Sequence, residues 1–282
     1  MRSGRSVAGL PMYDLPALAW ATDGLWSAIA SALRAQGMSG VPNKLSRGVE
    51  PEALWIDRDL LLAQTCGLPL VGQLAGRVRF VATPIYAVDG CSGADYRSWL
   101  VVRRADGRRS IADLAGSIAA VNASHSQSGA NALAALTAPV AKGRVFFADI
   151  RLTGAHAASL AAVRSGAADC AAIDCVTWAL LAECAPELLE GLDILAASPP
   201  VPALPFITGL ERDDATILAL RQALNTAAAD QHAEAACRSL GFAGIAATDA
   251  TAYQRIREML ETSLSAGCHR LSGLLGNPLL ID

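Results

Sequence analysis

Three stretches of the chain place hydroxyl, imidazole and carboxylate groups where a predicted strand runs into a predicted helix. In the first, Asn122-Ala-Ser124-His125-Ser126-Gln127-Ser128-Gly129-Ala-Asn131, the hydroxyls of Ser126 and Ser128 can both donate to one oxyanion. The first N–H groups of a helix lack partners inside it and carry about half a positive charge, which adds to such a seat. Gly129 lets backbone approach closely. Simple capping by serine is the alternative, but a cap needs one hydroxyl and a Ser-x-Ser-x-Ser-Gly run offers more.

The second stretch is Thr153-Gly154-Ala155-His156-Ala-Ala-Ser159. It puts His156 in the first turn of a helix, where its ring can donate a hydrogen bond into a crevice; a structural or surface histidine is the alternative. In the third, Ala172-Ile173-Asp174-Cys175-Val176-Thr177-Trp178, an apolar strand ends in a carboxylate. Asp174 either caps the next helix or accepts a hydrogen bond from a protonated oxygen or amine of a ligand. A carboxylate facing a fully ionised anion would repel it, so the ligand should carry a donor.

Serine, histidine and aspartate are nominally a hydrolytic triad. The G-x-S-x-G elbow is absent, and nothing in the spacing ties Ser126 or Ser128 to His156, so no catalytic residue is assigned. Dinucleotide, P-loop and zinc-protease motifs are also missing. Cys170, Cys175 and Cys184 are spaced unlike a metal site. No cofactor is expected.

These junctions need a scaffold. The chain has 282 residues, 52% hydrophobic and 17% charged, with 5% aromatics and much alanine. That favours a globular α/β protein of two domains or one large unit. The net charge of -3 has no basic run behind it, so nucleic acid is not an expected partner. The longest apolar stretch, residues 167–182, is broken by Asp169 and Asp174 and is too short to span a membrane. Seven cysteines, an odd number with no CxxC, favour buried thiols and a reducing compartment. The basic residues at 2 and 5 precede only a short apolar piece before Pro11. No export signal is expected, and the sequence as written reads as cytoplasmic.

Period and punctuation predict strands over 7–13, 78–86, 99–103, 118–122, 145–150, 170–173 and 193–196. Predicted helices run from a cap at Asp23 to Gly37 and over 51–64, 128–141, 157–165, 177–185, 214–229, 231–240 and 252–266. The alternation between 99 and 196 calls for parallel strands with right-handed crossovers. In such folds ligands bind outside the carboxyl ends of the strands, where all three junctions lie. The proline cluster at 199–205 marks a boundary. If 99–198 is one lobe, 1–98 and 199–282 share the other, the chain crosses twice, and the crossing is a hinge. Two sequential domains cut near residue 100 are the rival arrangement.

A set of local sequences goes further. Met12-Tyr13-Asp14, Gln64-Thr65-Cys66-Gly67, Thr83-Pro84-Ile85-Tyr86, Gly90-Cys91-Ser92-Gly93, Tyr96-Arg97-Ser98 and Leu204-Pro205-Phe206-Ile207-Thr208, taken with the three junctions, resemble the phosphate, phosphite and phosphonate substrate-binding proteins of ABC transporters over about residues 10–210. The resemblance implies a type II periplasmic-binding-protein fold of two αβ lobes around a cleft, and no catalysis. It implies that Ser126, Gln127, Ser128 and His156 bind phosphonate oxygens and that Asp174 meets an amino group. Tyr13 and Tyr86 would close over the ligand, ordinary core-edge tyrosines being the alternative. Gln127 stands where a hydroxyl residue is common in the family, which admits a carboxylate, sulfonate or heterocycle as well. The implied partners are a small anionic or zwitterionic ligand and an ABC permease, and the family's compartment is the periplasm, reached if the N-terminus is trimmed. The alternatives are a cytoplasmic ligand sensor and an enzyme of pyrimidine or thiamine-precursor chemistry on the same fold.

Overall fold

A computed structural model describes residues 6–266; Cys268 and the basic residues at 2 and 5 lie outside them. The chain opens with β1 (Val7–Gly9), a 3-10 turn at Pro16–Leu18 and α1 (Ala19–Ala35). Then come α2 (Pro51–Trp55), β2 (Leu60–Gln64), α3 (Gly67–Val71) and β3 (Val78–Tyr86). A connector carries the two-residue β4 (Asp95–Tyr96) into β5 (Ser98–Arg103) and β6 (Ile118–Val121). A π-helical turn, Gln127–Asn131, leads straight into α4 (Ala132–Ala141). It is followed by β7 (Asp149–Leu152), α5 (His156–Ser165), β8 (Cys170–Asp174), α6 (Cys175–Cys184) and β9 (Leu192–Ala197). The chain returns through β10 (Val201–Pro202) to β11 (Phe206–Gly209), α7 (Asp214–Ala228), α8 (Glu234–Ser239), β12 (Phe242–Ala246) and α9 (Gln254–Ser265).

Two five-stranded sheets result. The first has the order β1-β2-β11-β3-β12 and the second β7-β6-β8-β5-β9. The chain passes between them twice, and the two passages pair as an antiparallel ribbon, Tyr96 with Val201 and Asp95 with Pro202. Helix α9 adds a further tie. It packs against α4 and the π turn of the second unit as well as α3 of the first, and Arg255 on it ion-pairs with Asp95 of the ribbon. The expected α/β architecture of two lobes is present.

Several local expectations need correction. Asp23 does not cap α1; the helix starts four residues earlier, after a turn that Pro16 initiates, and Asp23 ion-pairs with Arg47 at 2.8 Å. The stripe Leu25, Trp26, Ile29 and Leu33 is buried as its period requires. Residues 60–64 form a strand and not the end of a helix. The run Leu60-Leu61-Leu62-Ala63 is buried on both faces, so it shows no alternation, and leucine and alanine carry helix propensity. The region after 206 holds the expected helices and also two strands that were not expected: β11 is inserted antiparallel between β2 and β3, and β12 pairs with β3. Strand β7 begins at Asp149 rather than 145, since Phe146 and Phe147 are anchored as a buried edge-to-face pair in the preceding loop.

The second sheet is mixed. Only β7, β6 and β8 are parallel, while β5 runs antiparallel to both β8 and β9. The three parallel strands end at the same edge. That edge therefore receives residues 122–128, 153–156 and 174–177 together, which is the property the site depends on.

Candidate ligand-binding site

A cavity of about 340 Å³ opens at that edge between the two lobes, within the size range of small-molecule sites. The second lobe supplies Ser126, Ser128, His156, Asp174 and Thr177, and the first contributes the segment around Met12, residues 50–52, Trp55 and Cys66.

His156 and Ser128, 28 positions apart in the chain, meet with Nε2 and Oγ at 2.8 Å. The same Nε2 lies 3.4 Å from Oδ2 of Asp174. In a hydrolytic triad the serine and the carboxylate engage opposite ring nitrogens, so that the acid orients the base. Here both face one nitrogen, and Nδ1 is buried without a hydrogen-bond partner. No carboxylate orients the ring from its far side, and the arrangement is not one that activates Ser128.

Asp174 is fully engaged by its own lobe and by the other. Its Oδ1 accepts from the Thr177 backbone N–H at 2.7 Å and its Oδ2 from the Thr177 hydroxyl at 2.5 Å. It thus caps α6, and it also accepts from the Tyr13 hydroxyl at 3.2 Å, a bond that crosses from the first lobe. Burial, and then the Asp174 charge, push the Tyr13 phenol well above its usual pKa and keep it a neutral donor.

Backbone donors are distributed unevenly. At the π turn Ser126 acts as the cap, its Oγ accepting from Gly129 N at 3.0 Å, and Gln127 N donates to the Cys66 thiol of the first lobe at 3.2 Å. The open anion seat expected at this helix start is therefore already occupied by the protein's own groups. Helix α5 differs: no side chain caps it, and residues 154–157 at its start line the cavity. The start of an uncapped ten-residue helix, whose first N–H groups have no partner within the helix, thus lines the cavity beside His156 and Ser128.

Burial lowers the pKa of His156 below its ordinary 6.5, with Asp174 acting in the opposite direction. The unfolded chain takes up a proton at about pH 6.5 and the folded protein only at lower pH. The histidine therefore costs the fold nothing above that pH, and acidification below it favours unfolding. His156→Gln is expected to flatten the loss of urea midpoint between about pH 7 and pH 5, and an unchanged slope would show that the ring titrates normally.

Tyr13 is buried with only its hydroxyl directed at the site. Tyr86 is not brought to the cavity. Its hydroxyl accepts from Gln64 Nε2 at 2.7 Å and its ring packs edge-on against Tyr13 at 5.3 Å, so it is the core-edge tyrosine of the alternative reading. Gln127 is also turned away, its amide bonded to Asn131 at 2.6 Å and to the Met259 sulfur at 3.4 Å. It joins the π turn to α9, and its amide does not widen the choice of ligand. Cys66, Asn122 and Trp55 line the cavity without having been assigned to it; Gln64-Thr65-Cys66-Gly67, one of the local sequences that carry the resemblance, was the available signal for Cys66.

No lysine or arginine lines the cavity among the described residues. Asp14 is neutralised by Arg47 at 2.5 Å, and Glu52 faces His125 across the cleft mouth at 3.0 Å. A β-carbon on Gly129 would lie 1.9 Å from Asn122 Oδ1 and 3.2 Å from Ser126 Oγ. Gly129→Ala should therefore displace Asn122 and lower stability by about 1–3 kcal/mol, read as a urea midpoint; a neutral result would show that Asn122 yields freely.

Residues 58–253 match the family model described as ABC transporter, phosphonate, periplasmic substrate-binding protein. A comparison with curated protein sequences finds no match. Among solved structures, PhnD1 from Prochlorococcus marinus (MIT 9301) in complex with methylphosphonate superposes with a TM-score of 0.75 at 16% identity, covering 93% of this chain and 98% of that one. XAC2383 from Xanthomonas citri bound to chloride ion gives 0.70 at 18%, covering 94% and 99%. The alkanesulfonate-binding protein SsuA from Xanthomonas axonopodis pv. citri bound to MOPS gives 0.59 at 14%, covering 100% and 98%. At these identities the likeness is one of fold, the two-lobed α/β architecture of type II periplasmic binding proteins.

Proposed function

We propose, for a chain that belongs to the family of periplasmic substrate-binding proteins of phosphonate ABC transporters, that it captures a small ligand bearing an oxyanion in the cavity between its lobes and presents it to a permease. The family is one of transport substrate-binding proteins and not of enzymes, and the placing of Ser128 and Asp174 on a single nitrogen of His156 agrees with that.

The observation that carries the reading is the meeting of Ser128 Oγ and His156 Nε2 at the open start of α5, inside a cavity of about 340 Å³. A ligand oxygen seated there takes hydrogen bonds from the hydroxyl, the imidazole and the helix N–H groups in a water-poor setting, where charge-assisted bonds are strongest. The lack of a lysine or arginine in the lining and the presence of Asp174 favour a ligand that is not a bare dianion. A zwitterion such as an aminoalkylphosphonate, whose ammonium group offsets its own charge, suits this balance. In this reading 99–198 form one lobe, 1–98 with 199–282 the other, and delivery takes place in the periplasm.

The test is calorimetry, guided by a thermal-shift panel, with methylphosphonate, 2-aminoethylphosphonate, inorganic phosphate, an alkanesulfonate and a neutral amino acid. Saturable binding of a phosphonate, returned chemically intact, supports the proposal. Binding only of the amino acid, or turnover of any member, would overturn it.

A further inference from the structure

The geometry points to a second functional element, a reversible disulfide between Cys91 and Cys175 that fastens the connector between the lobes to the start of α6. The two sulfurs stand 3.5 Å apart although 84 positions separate them in sequence. Cys91 lies in the connector ahead of β4, half-exposed, whereas Cys175 is the first residue of α6, buried, and directly follows Asp174. All six described cysteines are free thiols, Cys91 and Cys175 included.

The approach of the two chains is enforced by the backbone. A β-carbon on Gly90 would fall 2.7 Å from the Cys175 β-carbon and 2.6 Å from the Trp99 ring, so the connector lies flush against α6 at a position that only glycine allows. Cys91 N donates to Val88 O at 3.1 Å, Ser92 and Asp95 close a small bridge, and Cys175 N donates to Arg97 O at 2.9 Å. Both thiols are thus held on braced segments. Two further features suit sulfur chemistry. Cys175 sits at a helix start, which favours a thiolate, and the hydrogen bond from Cys91 lowers its pKa. The same hydrogen bond, and then burial, push the Cys91 thiol up, with the Arg97 guanidinium opposing them, and the buried Nε of Arg97 has no hydrogen-bond partner.

The oxidant is a small-molecule disulfide. Cys91, the accessible thiol, passes its proton to the adjacent Cys175 sulfur as it attacks one sulfur of the oxidant, forms a mixed disulfide and releases one thiolate. Cys175, once more a thiolate after yielding that proton, then attacks the Cys91 sulfur, closes the internal bond and expels the second thiolate. The protein loses two protons and two electrons, and the oxidant gains both as two thiols. In an oxidising compartment the bond fixes the connector to the second lobe one residue from Asp174. The element stands independently of which ligand occupies the cavity.

The full-length protein is equilibrated with graded mixtures of oxidised and reduced glutathione, quenched in acid, alkylated and mapped by peptide mass spectrometry. The expected result is a single cross-linked Cys91–Cys175 peptide, lighter than the two thiols by two hydrogens and reversed by dithiothreitol, with a thermal midpoint above that of the reduced protein. Cys91→Ser should lose both the cross-link and the redox-dependent midpoint, and Cys175→Ser should retain glutathione on Cys91. Glutathione left on Cys91 in the unmodified protein, or complete alkylation of both thiols at every mixture, would overturn the proposal.

Discussion

His156→Ala is expected to weaken binding of the phosphonate identified by calorimetry by roughly tenfold to a hundredfold, and Ser128→Ala by at least about tenfold. The two groups share a 2.8 Å contact at the open start of α5, so a ligand oxygen placed there takes a hydrogen bond from each. Each such bond to a charged group is worth about 1.5–3 kcal/mol. Loss of the imidazole removes more than its own bond, because Ser128 loses its 2.8 Å partner and the ring no longer stands beside the Asp174 carboxylate. The double variant should therefore fall short of the sum of the single effects, since both act on one oxygen. Thermal midpoints separate loss of binding from loss of folding. Unchanged affinity in both single variants would remove the site from this edge of the sheet.

The second large effect concerns the fold. Asp174→Ala should lower stability by about 3 kcal/mol in urea unfolding. One carboxylate satisfies the Thr177 N–H, the Thr177 hydroxyl and the Tyr13 hydroxyl, and Asp174 is only 1% exposed. Alanine removes a helix cap and leaves three buried donors without an acceptor. Asp174→Asn keeps the shape and the capping oxygen, and its cost should be about 1 kcal/mol. Equal losses in the two variants would assign the whole effect to charge and none to the cap and its donors.

The way the sequence encodes these features explains what could be read from it. The strand-to-helix junctions at 122–128, 153–156 and 174–177 were legible because each combines an apolar strand with cap-forming or chemically active side chains, and β6, β7 and β8 bring them to one edge. The meeting of Ser128 with His156 follows from the parallel order of those strands; the alternation implies that order, but the spacing does not pair the two residues. Strand β2 was not legible, since Leu60–Ala63 is buried on both faces and carries no period. Strands β11 and β12 were hidden for another reason. Each is four or five residues long, and its place is fixed by antiparallel pairing with β3, more than a hundred positions earlier in the chain.

Side-chain direction at the site was the other feature beyond reach. Gln127 lies between two serines that do line the cavity, yet α9, about 130 positions later, draws its amide away through Met259. Tyr86 ends a strand as expected, but Gln64 and Tyr13 enclose it. The thiol contact between Cys91 and Cys175 is equally long-range, and an odd cysteine count without CxxC conceals it.

The central claim is that an oxyanion binds between Ser128 and His156 at the start of α5. A crystal structure of the protein with 2-aminoethylphosphonate or methylphosphonate tests it most directly, with the phosphorus located by its anomalous signal. The account predicts phosphonate oxygens in hydrogen-bond contact with Ser128 Oγ, the His156 ring and the first N–H groups of α5. A phosphonate seated away from both side chains, with the Ser128–His156 contact unaltered and solvent at the start of α5, would contradict it.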